Sequence, residues 1–467
     1  MIGENIRVWL SDFWKEFRRD SSGMVGLAFL LFFVACVVFE PLLIPFSQTN
    51  TRWSDITYWD DNPTSAPPAW TNWFAKKKSA VSAVLHPEET SQEQSDAAVM
   101  VTHSFSYDYD FDRPPLDLIL HFTGTGTIPL SMRVMRPDGV EIELHQDQAS
   151  LGEKQDWRIS LARNAGDALF AFAQESESEE TMSTVDADQL DPMAVLFAAA
   201  APGMLADPEP LRGEYVFTFL SILLDPSYSV ESSSIVVSGR VSGILGTDNS
   251  KRDIWSGVIA GVKWALLIGL LTALVSVGIG VIFGITSAYF GGIVDAVMQR
   301  IFEVFVNMPL LPILIVMSAV FKPSIWFMIL MMSAFFWVGP VKTVRSMALQ
   351  IKEETYIEAS RALGAGHGRL IFRHMVPLLV PYSFASMALY VPSAVVYEAT
   401  VSLLGLGDSS IVTWGHILHD ALTGGAVFNG LWWWVVPPGI MIALMGMTFS
   451  FIGFAMDTIL HPKLRTR

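Results

Sequence analysis

The sequence predicts an all-α polytopic membrane protein with an inserted mainly-β, sandwich-like domain. Three observations point there: 51% of the 467 residues are hydrophobic and 16% charged, apolar runs of bilayer length recur, and the acidic charge is confined to one segment. Ordinary soluble proteins reach an apolar share of about 45–50% only when glycine is counted. Residues 50–253 hold 32 acidic and 14 basic side chains, net −18, which leaves the remainder at net +2. Nothing in this balance points to nucleic acid. The single cysteine, Cys36, lies in an apolar run and can form no internal disulfide.

A bilayer core of about 30 Å takes about 20 apolar residues in a helix. Runs of that size occupy 23–46, 254–288, 301–321, 324–344, 376–404 and 431–460, with a short polar break at Lys322-Pro323 dividing the third from the fourth. Six transmembrane helices are therefore expected, preceded by an arm over 1–22. The first run follows the basic stretch WKEFRRD but exceeds a signal-peptide core of about 7–15 residues and has no A-x-A site after it, so it reads as an uncleaved anchor.

Orientation follows from Lys and Arg in short loops. The arm carries Arg7, Lys15, Arg18 and Arg19; the loop after the fourth run carries Lys342, Arg345, Lys352, Arg361, Arg369 and Arg373; the tail carries Lys463, Arg465 and Arg467. With six spans these lie on one side, which is then cytoplasmic. The segment 50–242 is then external, and 243–467 forms the five-helix remainder.

The external segment alternates apolar and polar residues in PLDLILHFTGTGTIPLSMRVMRPDGVEIELHQD, turns at Pro137-Asp138-Gly139, and alternates again in GEYVFTFLSILL and SSSIVVSGRVSGIL. Short alternating strands predict a β-sandwich. QESESEETMSTVDADQ reads as a solvated acidic loop, and DPMAVLFAAAAPGML as a helical patch packed on the sheet or on the membrane. His103, His121 and His145, with Asp108, Asp110 and Asp112, offer metal-ligand types. The spacing lacks the glycine and distal glutamate of a calcium loop, so a solvated strand face and no bound metal are expected.

Within the second run, Ser276, Gly280, Gly284 and Ala288 recur at every fourth position. That is a smooth helix face on which another backbone can approach closely, and packing inside the bundle is the expected use. Glu40, Lys263 and Glu398 fall towards the external ends of runs, where snorkelling makes them inexpensive, and Arg300 with Glu303 forms an i,i+3 pair. Without a buried relay of ionisable groups a secondary transporter loses support, although Pro309, Pro312, Pro340 and Pro392 would suit broken helices.

The polar segment 345–377 contains EETYIEASRALGAGHGRLIFRHMVP, which reads as a helix, a glycine turn at Gly364, Gly366 and Gly368, and a second short amphipathic helix. Glu358-Ala359-Ser360, Ala362, Leu363, Gly364, Ala365, Gly366, Ile371 and Pro377 resemble the E-A-A-x-x-x-G signature of ABC importer permeases, with Ser360 in place of the second alanine. FWKEFRRDSSGMVGLAFLLFFVACVVFEPLLIPF, ILGTDNSKRDIWSGVIAGVKWAL and YEATVSLLGLG narrow the resemblance to the dipeptide/oligopeptide/nickel permease family, with Lys251 where glycine is usual. The C-terminal SFIGFAMDT keeps Gly453 of the family pattern but loses its charged pair, and the long external segment is an insertion.

The resemblance implies a type I ABC importer permease fold and a non-catalytic membrane subunit. It implies a coupling helix within 345–377 that docks on an ATPase. Expected partners are a second homologous permease, two cytoplasmic ATPase subunits carrying ATP and Mg, an external solute-binding protein and the lipid membrane. No G-x-x-x-x-G-K-[ST] loop occurs in the chain, so ATP hydrolysis by that route is expected in the partner. Peptides are the expected solute, with nickel or another small solute as the alternative within the family. A secondary transporter or a receptor with an external sensor domain are the readings from other classes.

Overall fold

The computed structural model describes residues 13–44, 49–95, 98–151, 155–183, 185–186 and 190–460. It divides into two compact units, one made of Met1–Ser54 with Ser256–Arg467 and the other of Asp55–Trp255.

The first unit is helical. Its principal helices are α1 (Ser21–Val38), α2 (Ile254–Phe290), α3 (Gly292–Asn307), α4 (Leu310–Val320), α5 (Ile325–Phe336), α6 (Val338–Lys352), α7 (Thr355–Ala362), α8 (Val376–Leu403), α9 (Trp414–Thr423) and α10 (Trp432–Leu460). Among the described residues four spans qualify by length and composition as membrane helices, α1, α2, the stretch His367–Leu403 ending in α8, and α10, or up to six if each bent pair is one span. The bent pairs are α3 with α4 at 79° and α5 with α6 at 41°.

Three boundaries differ from the sequence expectation. The run at 301–321 is broken, because Pro309 has no N–H to continue the ladder and holds Met308 extended at φ −73°, ψ 131°. The first run ends as a long helix at Val38 and resumes as the short Glu40–Leu43; 45–48 lie outside the described residues. Helix α9 falls between the expected spans 376–404 and 431–460, in a stretch to which the sequence assigned no element. It begins at Thr413, whose side chain accepts from His416 N, and buries Trp414, Gly415, Ile417 and Ala421.

Close helix contacts are made through small residues. A Cβ on Gly23 would meet Ala455 Cβ at 2.8 Å, and one on Gly26 would meet Thr448 O at 2.9 Å, so α1 lies directly on α10. On α2, a Cβ at Gly280 would meet Trp337 O and Pro340 Cγ at 2.5 Å, and one at Gly284 would meet Val344 Cγ1 at 2.8 Å. The Ser276, Gly280, Gly284, Ala288 face is buried throughout, and its glycines lie against the start of α6.

The second unit is built on eight strands: β1 (Ala83–Leu85), β2 (Glu89–Gln94), β3 (Val99–Tyr109), β4 (Asp117–Met135), β5 (Glu141–Leu151), β6 (Gln155–Arg158), β7 (Gly213–Leu223) and β8 (Ser229–Ser238). They form one hydrogen-bonded network rather than two separate sheets, because the 19-residue β4 is shared. Its first half pairs with β8 and β6, and its second half with β5 and β7. The change comes at Gly124, where the register with β8 shifts, and at Gly126, whose φ of +96° and contact with the Tyr228 ring exclude a side chain. A strand that changes partners at a glycine bend is one way to fold a sheet over a core.

That core gathers Phe105, Tyr109, Phe122, Phe197, Phe217 and Phe219, each less than 2% exposed. Helical segments pack against it. Arg163–Ser176 buries Leu169, Phe172 and Ala173 and includes the start of the expected acidic loop, and Glu179–Met182 is a further helical turn of that segment; residues 184 and 187–189 lie outside the described residues. Pro192–Leu196 is the expected helical patch, and it packs on the sheet. Arg136 holds it there, donating to Val195 O, Leu196 O and Ala198 O at 3.3, 2.9 and 2.7 Å while paired with Asp138 at 2.9 Å.

The metal-ligand types of this unit are dispersed. His121 Nε2 lies 2.8 Å from Asp61, His103 Nδ1 3.1 Å from Thr90, and Asp112 is paired with Arg212 at 2.7 Å. Among the described residues no group of three or more His, Cys, Asp or Glu is placed to hold a metal.

Candidate functional site

The polar segment between α6 and α8 is a helix ending in a glycine cap. Helix α7 stops because Gly364 adopts φ +84°, its N–H bonding Arg361 O at 2.9 Å while Ala365 N bonds Ser360 O at 3.0 Å. This pair of reversed bonds is the Schellman cap, which takes glycine at the left-handed position. Ser360 is half-buried, and its hydroxyl donates back to Tyr356 O at 2.7 Å. The serine therefore keeps its polar atom within its own helix and presents little more to its surroundings than alanine would.

After the cap, Gly366 opens the short turn His367–Arg369, and Leu370–Met375 widens into a π-helical stretch that runs into α8. The two arms are rooted by apolar side chains. Ile357, Leu370, Ile371 and Met375 are buried with Val281, Ile285 and Ala288 of α2 and Val344 and Ala348 of α6. The ten sequence-derived residues thus separate into three groups. Glu358, Ala359, Ala362, Leu363, Gly364, Gly366 and Pro377 are exposed, Leu363 at 89%; Ser360 and Ala365 are half-buried, and Ile371 is buried as a root. Added Cβ atoms at Gly364, Gly366 and Gly368 would meet nothing within 4 Å.

A polar collar that sequence reasoning missed fixes the base of this loop. Asp295 on α3 takes both arms of Arg345 on α6, at 2.8 Å from Nε and 2.5 Å from Nη2. It also accepts from Ser287 on α2, which in turn receives Gln299 Nε2 at 3.0 Å. Tyr289 Oη lies 2.7 Å from His367 Nδ1, and the Arg361 guanidinium sits 5.6 Å from the Tyr289 ring centre. Bidentate Arg–carboxylate pairs fix geometry as well as charge, so three helices and the loop are locked at one place. Arg345 was visible in sequence only as one positive charge among several, and no local spacing links it to Asp295.

Glu398 departs from the expected snorkelling position. It is 4% exposed, accepts from Ser402 Oγ at 2.7 Å and is also bonded by the Thr413 side chain. Helix α9, unseen in the sequence, packs on α8: a Cβ on Gly415 would meet Ala399 Cα at 2.7 Å. Beside it a cavity of about 190 Å³ is lined by Ser402, Asp408, His416, His419 and Asp420. Glu40 and Lys263 pair at 2.7 Å, and Arg300 with Glu303 at 2.6 Å.

Residues 280–466 match the family of binding-protein-dependent transport system inner membrane components, and residues 9–68 match the N-terminal TM domain of oligopeptide transport permease C. Over 222 residues the chain is 34% identical to the dipeptide transport system permease protein DppC of Bacillus subtilis, covering 47% of this chain and 69% of that protein. It is also 34% identical to the oligopeptide transport system permease protein OppC of the same organism, covering 47% of this chain and 72% of that protein. With OppC of Haemophilus influenzae the identity is 31%, over 47% of this chain and 70% of the relative. The chain belongs to the dipeptide/oligopeptide permease family, the membrane-embedded permease subunits of binding-protein-dependent ABC importers.

Proposed function

We propose that this chain is the membrane-spanning subunit of an ATP-driven importer of peptides, with the loop around α7 as its contact to a cytoplasmic ATPase. One observation carries the reading: Leu363 and the open glycine turn project from a loop whose buried roots, Ile357, Leu370 and Ile371, are packed on α2 and α6. A lever needs an exposed end to be gripped and a rigid base to transmit the grip. The Asp295–Arg345 collar supplies further rigidity at that base.

In this reading each bent helix pair is one span, giving six, and both termini and the α7 loop face the cytoplasm, as the placement of Lys and Arg favours. A second homologous permease completes the path, two ATPase subunits bind ATP and Mg, and an external solute-binding protein delivers the solute. The names of the relatives favour peptides. The inserted unit is then external.

The test is co-purification from cells expressing the permease pair with its ATPases. Leu363→Asp is expected to reduce recovered ATPase at least tenfold while the permease elutes unchanged, since the Leu363 residue is 89% exposed and the substitution leaves its backbone bond to Ala359 O in place. Undiminished recovery together with unchanged peptide uptake would reject this loop as the coupling contact.

A further inference from the structure

The inserted unit carries an exposed aromatic and basic surface. Residues 69–78 read AWTNWFAKKK, and the three lysines are the longest basic run in a segment of net −18. Trp73 and Phe74 are 82% and 80% exposed, and among the described residues no other aromatic of Asp55–Trp255 is exposed. Lys76, Lys77 and Lys78 are exposed beside them.

This exposure is held in place. Asn72 donates to Ser79 O at 2.8 Å and accepts from Ser79 N at 3.1 Å, closing the loop at its neck. Lys78 N is bonded to Asp112 at 2.7 Å, and Phe74 N to Thr71 O at 3.1 Å. The Phe74 ring meets the Trp70 ring edge-on at 6.5 Å, and Trp70 Nε1 donates to Ile244 O at 2.9 Å. The loop is thereby fastened to the segment that leads into α2. Ala69 N bonds Gly243 O at 3.0 Å, and Gly246 O, two residues beyond Ile244, accepts from Ile254 N, the first residue of that apolar helix.

Two large aromatics fixed in an exposed position, flanked by lysines and tied to the root of a membrane helix, match the chemistry of a bilayer interface. Tryptophan is enriched at headgroup depth, lysine keeps its ammonium in the polar layer while its stem covers apolar surface, and clustered lysines are drawn to anionic lipid. We propose that residues 70–78 form an interfacial anchor, with Trp73 and Phe74 in the headgroup layer and Lys76, Lys77 and Lys78 against lipid phosphates.

The test uses the full chain with Cys36→Ala and Phe74→Cys, labelled with a small fluorophore and reconstituted in nanodiscs of phosphatidylcholine with or without phosphatidylglycerol. A headgroup nitroxide lipid is expected to quench the label at least threefold more than the same label at Leu161→Cys, a site 79% exposed on the same unit. Changing the three lysines to glutamine is expected to lower quenching in the anionic discs and leave it unchanged in the neutral ones. Trp73→Cys provides an independent labelled position. Equal quenching at 74 and 161 in both lipids would overturn the proposal. So would a label indifferent to lipid but shielded from iodide by an added solute-binding protein, which would assign the surface to a protein partner.

Discussion

The two units differ in what surrounds them and in where their closest contacts fall. The β-rich unit closes around large aromatics, with Phe105, Phe122, Phe217 and Phe219 fully buried, because in water the removal of large apolar surface drives folding. The helical unit is apolar on its outside as well, exposing Leu31, Val297 and Leu330 among others, so apolarity alone cannot tell its inside from its outside. Its closest backbone approaches are made where side chains are missing: Gly23 and Gly26 on α10, Gly280 and Gly284 on α6, Gly453 on Leu389. In lipid, association depends on close van der Waals approach and polar bonds between helices.

The sharpest way to break this contrast is Gly280→Leu, which drives a side chain into Trp337 O and Pro340. We expect no monodisperse protein on size-exclusion chromatography, whereas Gly278→Leu on the same helix, with open space around it, elutes as the parent does. The counterpart in the other unit is Phe219→Ala. Large-to-small changes of a buried phenylalanine cost about 3–5 kcal/mol, so thermolysin should cut the β-rich unit readily while the chain elutes as before.

Acidity separates the units next. His103 is buried with Nε2 enclosed and unpartnered among the described residues and stacks on Phe219, and His145 lies 4.3 Å from the Trp157 ring with Nδ1 enclosed. Burial lowers both below the usual histidine value of about 6.5. The folded state thus favours neutral imidazoles. That contribution is complete above the unfolded value and is lost as pH falls through the lowered folded values. Trp157 fluorescence should report loosening of the β-rich unit on acidification below about pH 6.5, shallower in His145→Phe.

The smallest expected effect concerns Lys251, at a position where the family resemblance leads to an expectation of glycine. It adopts φ +64°, and its ammonium bonds Asp60 Oδ1 at 2.6 Å and Asp60 O at 2.9 Å. This bond, with Arg158 nearby, holds the Asp60 carboxyl below the usual range. Lys251→Gly removes left-handed strain of about 1 kcal/mol together with a partly exposed ion pair of about 0–1 kcal/mol. Thermal unfolding should therefore move by no more than a few degrees in either direction.

Much of the fold was legible because it is local. Apolar length marked the spans, alternation marked β4, β5, β7 and β8, and the glycine after Glu358-Ala359-Ser360 marked the cap, since a left-handed residue must be supplied by the sequence at that point. Helix α9 was not legible: its tryptophan, histidines and glycine lack the apolar length of a span, and Trp414 reveals its role only where its Nε1 reaches Val258 O at 2.9 Å.

By itself the sequence determined the greasy and acidic halves, the helical and strand periods, and the family. Only tertiary structure decided that Glu398 is enclosed, that Asp295 and Arg345 meet across 50 residues, that β4 belongs to both halves of its sheet, and that Leu363 stands exposed while Ile371 is buried. The physical reason is the same in each case. Propensity and periodicity act over a few neighbouring residues, whereas burial and charge pairing depend on which distant segments the folded chain brings within a few ångströms.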